Sequence, residues 1–239
     1  ARRGFELLDE ATLLDHILPE VARMKGVPQP PEFHPEGDVW VHTLLMLDAL
    51  EDPAPTLAMG VLLHDVGKPV TLKFADRIRF DGHVEAGVRI ADRILHRLHF
   101  SRDEIDAIKE LVAQHMKFKD VSLMKESTLK RFLRQPNFDE HLELHRLDCA
   151  SSNRRFDSYN LVREKLDDYT RTEALKPPPL VTGKDLIAAG YRPGPHFGEM
   201  LRTAEDAQLE ERIASREEGL RLIEEQFGAP GEQPAAQRK

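Results

Sequence analysis

The sequence holds one cysteine, Cys149, so no intrachain disulfide can form and a cytoplasmic location is the expectation. It holds no apolar run near the ~18 residues that a membrane span needs, and no basic-then-apolar leader opens it, so no membrane partner is expected. A net positive charge is also lacking. Lys+Arg number 34 against 42 Asp+Glu, a net −8, which argues against polyanion binding by the chain as a whole and leaves room only for a local basic patch. There is no initial Met and no internal repeat. The chain begins at Ala1 and enters helical sequence at once, as a piece of something longer would. What is present is 239 residues, 40% hydrophobic and 32% charged, a composition that excludes disorder and fits one large globular domain or two small ones.

Periodicity is mostly helical. Phe5, Leu8, Leu13, Leu14, Ile17 and Leu18 mark two short amphipathic helices, and a proline-rich loop follows, with Pro28, Pro30, Pro31 and Pro35. Asp38 reads as the N-cap of a helix running to Leu50, and 56–65 as a short apolar helix closed by Gly67 and Pro69. Thr71–Phe74 and Arg77–Phe80 alternate around Ala75-Asp76, which predicts a small hairpin. Further helices are predicted over 83–98, 103–116, 126–134, 137–152, 157–173, 183–189, 196–209 and 215–227. Pro177-Pro178-Pro179 is the stiffest break. Residues 228–239 are expected to be a disordered tail.

Histidine is over-supplied, with 11 residues, and it is the commonest metal ligand and the usual acid–base group near neutrality. The arrangement is informative. His42 shares a helix face with Leu45 and Ala49, and His64 with Leu57 and Val61. His83 lines up with Gly87, Ile90 and Ile94, His115 follows Ile105, Ile108 and Val112, and Asp148 follows Leu144. All five polar positions fall on faces that periodicity turns inward. A buried imidazole or carboxylate without a partner costs several kcal/mol, and one divalent cation would serve all five. Nitrogen and oxygen donors of this kind suit Zn²⁺, Mn²⁺, Fe²⁺, Co²⁺ or Ni²⁺. His64 and Asp65 are adjacent, so they can share an ion only if the helix ends there, which Gly67 and Pro69 allow. The string His64-Asp65-Val66-Gly67-Lys68 has a chance expectation of roughly 0.003.

His42, His64-Asp65 and Asp148 resemble the H…HD…D signature of the HD superfamily of metal-dependent phosphohydrolases, and His83 and His115 resemble the two extra histidines of many members. The surrounding text is similar to the body and tail of bacterial tRNA nucleotidyltransferases, the CCA-adding and poly(A) polymerase family. The similar stretches are Leu18-Pro19-Glu20-Val21, Phe33–Trp40, Phe80-Asp81-Gly82-His83, Thr182–Ile187 and Gly194-Pro195, so the resemblance runs from Phe5 to Phe227. It implies an all-α fold: neck-end helices over 1–30, an HD-domain helical bundle with a small β-hairpin over 31–176, and a C-terminal helical tail over 177–227. It implies a divalent metal ion (Mn, Ni, Co, Fe, Zn or Mg) held by His42, His64, Asp65 and Asp148, with Asp65 also catalytic. The implied partners are 2′,3′-cyclic or terminal phosphoesters of nucleotides or RNA ends, tRNA, and an upstream nucleotidyltransferase head domain. The nucleotide-adding heads of that family carry Gly-Ser and Asp-x-Asp/Glu, and this chain has neither, so nucleotide addition is not expected of it.

Each site residue has a plainer reading beside it. The ligand set could be a metal-free polar core. His83 and His115 could hold a second metal, contact a substrate phosphate, or hydrogen-bond in the core. Lys68 reads equally as a catalytic phosphate contact and as a solvated lysine after a helix end. Lys117, Lys119, Lys130, Arg131 and Arg134 lie in a stretch with a local basic excess, which suggests an RNA-backbone surface or a solvated helix face. His16, His34, His96, His99, His141, His145 and His196 are expected on surfaces or in ordinary hydrogen bonds, and Cys149 as a small buried side chain. Thr182-Gly183-Lys184 lacks a phosphate loop's glycines and reads as a helix start. Two functions follow: a metal-dependent phosphohydrolase, or a tRNA-gripping body with a relic or structural metal site.

Overall fold

The computed structural model describes residues 1–172 and 174–230; their regular structure is helical apart from one two-stranded hairpin and a single bridge between Pro28 and Asp38. The chain divides into two compact units, one of 1–122 and 136–161, the other of 123–135 with the residues from Val162 onward. The division does not fall at Pro177–Pro179, nor do the first 30 residues stand apart.

In the first unit α1 (Arg2–Glu10) lays Phe5 and Leu8 against the core, while α2 (Leu14–Ile17), α3 (Pro19–Ala22) and the residue between them bury Leu14, Val21 and Leu18 in the same core as the later helices. That core is built by α4 (Val39–Asp48), α5 (Pro55–Leu63), α7 (His83–Arg97), α8 (Arg102–Gln114) and α10 (Phe138–Ser151), with the one-turn α6 (Lys68–Thr71) between α5 and the hairpin. Asp38 caps α4 as expected, its carboxylate accepting from the Val41 N–H at 3.0 Å. Ser101 and Glu104 form a reciprocal capping box at the start of α8. Helix α5 packs closely on α8 because Gly60 has no side chain: a Cβ there would lie 2.6 Å from Leu111 Cδ1.

Helix α5 ends at Leu63, and His64, Asp65, Val66 and Gly67 form a turn before α6. Gly67 is needed for space rather than for a left-handed conformation. Its φ is −83°, and an added Cβ would sit 2.0 Å from the His83 carbonyl oxygen. The turn is thereby pressed against the first residues of α7. The opposite device operates at Gly82, whose φ of +79° lets the chain leave the hairpin and enter α7 at His83. Hairpin strands β1 (Lys73–Phe74) and β2 (Ile78–Arg79) pair antiparallel, Lys73 with Arg79 and Phe74 with Ile78. After α8 the chain tightens into a 3₁₀ segment, His115–Leu123, where periodicity predicts the end of an α-helix.

The second unit contains α9 (Glu126–Leu133), most of α11 (Asp157–Arg171), α12 (Gly183–Ala188), α13 (His196–Leu209) and α14 (Arg216–Phe227). Val181, Leu186, Tyr191, Met200, Ala204 and Ile223 form its small core. Thr182 opens α12 by donating its N–H to the Asp185 carboxylate at 2.8 Å, which is the helix-start role expected of it. Gly228 is held, because the Tyr191 hydroxyl donates to its carbonyl at 3.0 Å. The rest of the expected tail, 231–239, lies outside the described residues.

Candidate metal centre

Five elements of the first unit bring polar side chains to one place. α4 supplies His42, the turn after α5 supplies His64 and Asp65, α7 begins with His83, the 3₁₀ segment begins with His115, and α10 supplies Asp148. His42, His64, Asp65, His83 and His115 are buried, and Asp148 is partly open.

The hydrogen bonds fix the tautomers. His64 Nδ1 lies 2.8 Å from the Val61 carbonyl, His83 Nδ1 2.9 Å from that of Phe80, and His115 Nδ1 2.6 Å from that of Val112. A carbonyl only accepts, so each Nδ1 carries the proton and each Nε2 of the neutral ring presents a lone pair. Those lone pairs face other acceptors. His64 Nε2 is 3.1 Å from Asp65 Oδ2 and makes no directed hydrogen bond. His83 Nε2 and His115 Nε2 are 3.4 Å apart, each 3.8 Å from Asp65 Oδ1. Acceptors converge on acceptors, an arrangement that a cation resolves. The two oxygens of Asp65 serve two groups of ligand atoms, one with His42 and His64 and one with His83 and His115.

Electrostatics agree. Burial drives the His115 pKa down to about 3 and lowers that of His83, so neither ring takes a proton near neutrality. Burial works against charge on His42 too, but Asp148 at 3.2 Å from Nε2 and Glu36 at 2.7 Å from Nδ1 outweigh it and raise the ring to about 9. Without metal, an imidazolium stands where the cation's charge is wanted. Burial would raise the Asp65 and Asp148 carboxyls, yet the Lys68 ammonium beside Asp65, and His42 beside Asp148, hold both below the ordinary range. The donor set and its orphaned lone pairs therefore fit a divalent cation.

A cavity of about 800 Å³ opens on this cluster, a size suited to a nucleotide. His64, Asp65, Lys68, His83, His115 and Asp148 line it, as do Phe33, Phe80, Arg77, Arg79, Lys119 and Arg155, while His42 lies behind them.

Residues 39–172 match the HD domain family. The chain belongs to the HD family. Three relatives are tRNA nucleotidyltransferases or CCA proteins. The CC-adding tRNA nucleotidyltransferase of Thermus thermophilus is 34% identical over 235 residues, 92% of this chain and 52% of the relative. The Multifunctional CCA protein of Halorhodospira halophila is 34% identical over 213 residues, 85% of this chain and 49% of its own. The A-adding tRNA nucleotidyltransferase of Deinococcus radiodurans is 30% identical over 242 residues, 94% and 54% respectively. The chain spans about half the length of the curated relatives it matches.

Around the HD cluster the structure adds residues that sequence reasoning did not assign. Glu36 Oε1 lies between His34 Nδ1 at 2.9 Å and His42 Nδ1 at 2.7 Å, a carboxylate behind a candidate ligand imidazole. It arrives there because the loop 28–38 closes on itself, with Gln29 N–H donating to Gly37 O at 2.9 Å and a bridge between Pro28 and Asp38. The signal is a histidine and an acid, His34 and Glu36, in a loop leading straight into the helix that carries His42. Lys68 is buried rather than solvated. Its Nζ is 2.6 Å from Asp65 Oδ2 and donates to Gln29 Oε1. His34 and His145 line the cavity, His145 stacked on Phe118 with ring centroids 4.3 Å apart. Cys149 is buried, which pushes its thiol up to about 12.

The basic stretch needs correction. Lys117 and Lys119 are exposed in the first unit, and Lys119 reaches the cavity. Lys130, Arg131 and Arg134 belong to the second unit and are engaged there. Lys130 is buried and donates to the Leu209 carbonyl at 2.9 Å, and its ammonium is 4.9 Å from the Tyr169 ring centroid. Arg131 and Arg134 lie 2.6 and 2.5 Å from the Glu205 carboxylate, and Arg131 also meets Asp206. Carboxylates of α13 neutralise Arg131 and Arg134, so these two do not offer free charge to a phosphate backbone. No helix among the described residues is long and apolar enough to cross a membrane.

Proposed function

We propose that this HD region is a metal-dependent phosphohydrolase acting on 2′,3′-cyclic or terminal phosphoesters of nucleotides or RNA ends. The observation that carries the reading is the convergence of the Nε2 lone pairs of His64, His83 and His115 on one another and on Asp65, with His42 and Asp148 beside them, at a nucleotide-sized cavity bordered by cations. His42, His64, Asp65 and Asp148 would hold a divalent ion, with His83 and His115 completing a second position beside Asp65. A bound ion would acidify a water and polarise a phosphoryl oxygen.

The protein's own groups have separate tasks. Asp65 would orient the attacking water by accepting a hydrogen bond from it. Lys68 holds Asp65 in place and presents positive charge to the substrate phosphate. Lys119 and Arg155 offer further charge along the cavity wall.

Hydrolysis of bis-p-nitrophenyl phosphate and of 2′,3′-cyclic AMP, with Mn²⁺, Ni²⁺, Co²⁺ and Mg²⁺ in turn, tests the reading. Asp65→Asn should lower kcat by on the order of 10²-fold or more. Equal rates for both proteins with all four metals would retire it. The second reading would then stand: a tRNA-gripping body with a structural metal, serving a nucleotidyltransferase head. It is favoured by the names of the relatives, of which this chain covers about half.

A further inference from the structure

The hairpin is built in a way that the fold does not explain. Two paired residues per strand give almost no stability of their own. Within that minimal ribbon Lys73 stands directly opposite Arg79, a like-charge pair that disfavours the pairing. Asp76 satisfies Arg79 through two oxygens at 2.8 and 2.9 Å. Lys73 and Arg77 are exposed and have no ion-pair partner among the described residues. On the other face Phe74, opposite Ile78, is 73% exposed, a large ring left in water. One side of the ribbon is thus cationic and the other carries an open aromatic.

The hairpin also has a direction. Arg77, Ile78 and Arg79 line the metal-centre cavity, while Lys73 and Phe74 lie outside its lining. A mononucleotide in the cavity can meet β2 alone. A ligand that meets both strands must extend at least one strand spacing, about 4.8 Å, beyond the wall. Unpaired cations call for a chain of anions, and a bare ring calls for a flat partner.

We infer that the hairpin Lys73–Arg79 grips single-stranded RNA, with Phe74 stacking on a base and Lys73 and Arg77 meeting the backbone, so that an RNA end rather than a free nucleotide is delivered to the cavity. The choice of an RNA end rests on the phosphohydrolase reading, but the grip is measured without hydrolysis.

The test is fluorescence anisotropy of a short 3′-phosphorylated oligoadenylate with the whole chain, without added divalent metal. Phe74→Ala should weaken binding about tenfold or more. Lys73→Ala and Arg77→Ala should each flatten the slope of log Kd against log salt by roughly 0.7. Phe74→Trp keeps a stacking ring and should restore affinity, and its emission should be quenched by the RNA. Trp40, the one native tryptophan, is buried and gives a constant background. Unchanged affinity in Phe74→Ala, with Phe74→Trp emission indifferent to saturating RNA, overturns the inference. So does a response of that tryptophan to anionic phospholipid vesicles and not to RNA. Hydrolysis of 2′,3′-cyclic AMP by the unaltered chain scores the phosphohydrolase reading separately, so the two can fail independently.

Discussion

Each unit of the chain contains a buried charged cluster, and the two differ in completeness. In the second unit Lys130 has a carbonyl, a carboxylate and an aromatic ring, while Arg131 and Arg134 have Glu205 and Asp206, so every charge has an opposite. In the first unit His64, His83 and His115 direct lone pairs at one another and at Asp65. Satisfied clusters hold helices together. An unsatisfied one at this depth costs stability until something outside the polypeptide completes it. Equal richness in charged residues therefore carries opposite meanings, decided by which atoms face which.

The strongest way to break this contrast is Gly67→Ala. The new methyl would collide with the His83 carbonyl and displace the turn carrying His64 and Asp65. A loss on the order of 3 kcal/mol or more in urea unfolding is expected, together with loss of metal affinity. A Gly67→Ala protein with normal stability and metal binding would show that the close approach of turn and helix is dispensable.

Lys130→Met probes the other cluster. It leaves the Leu209 carbonyl without its donor and should cost about 1–3 kcal/mol, with Mn²⁺ affinity unchanged by calorimetry. A change in metal affinity would mean that the clusters are not separate.

The pH responses should also differ in sign. His42 is raised to about 9 from an ordinary 6.5, so its stabilisation of the metal-free chain is full below 6.5 and fades as pH rises through 9. Metal must displace that proton, so Mn²⁺ affinity should rise between pH 7 and 9 by up to about tenfold per unit. In the second unit burial would raise Glu205, but Arg131 and Arg134 outweigh it and lower its pKa. Its contribution is present above the ordinary 4.5 and is lost as pH falls through the lowered value. Calorimetric titration and unfolding across this range read both. A metal affinity that is flat from pH 7 to 9 would remove His42 from the ligand set.

Much of this was legible locally. The Asp38 cap, the end of α5 at the His64–Gly67 turn and the hairpin around Ala75-Asp76 follow from patterns a few residues long. The inward faces of His42, His64, His83 and His115 followed from helical period alone. What was not legible depends on distant pairing. Glu36 and Gln29 come to the site because a proline-rich loop folds back, and no periodicity marks that. Lys130, Arg131 and Arg134 read as a basic face because their partners, Glu205, Asp206 and the Leu209 carbonyl, are some 70 to 80 residues away in sequence. The same long-range packing assigns α9 to the second unit. Gly67 reads locally as a helix stop, whereas its larger role, space for the His83 carbonyl, depends on a contact that no local pattern marks.

The central claim, that the first unit's cluster is a divalent cation site, is tested most directly by thermal unfolding of chelator-stripped protein with and without Mn²⁺ or Ni²⁺. At a hundredfold excess over Kd, binding adds about 2.7 kcal/mol, so the melting transition should move up by several degrees, and His64→Ala should abolish the shift. Superimposable melts with and without either metal would contradict the account.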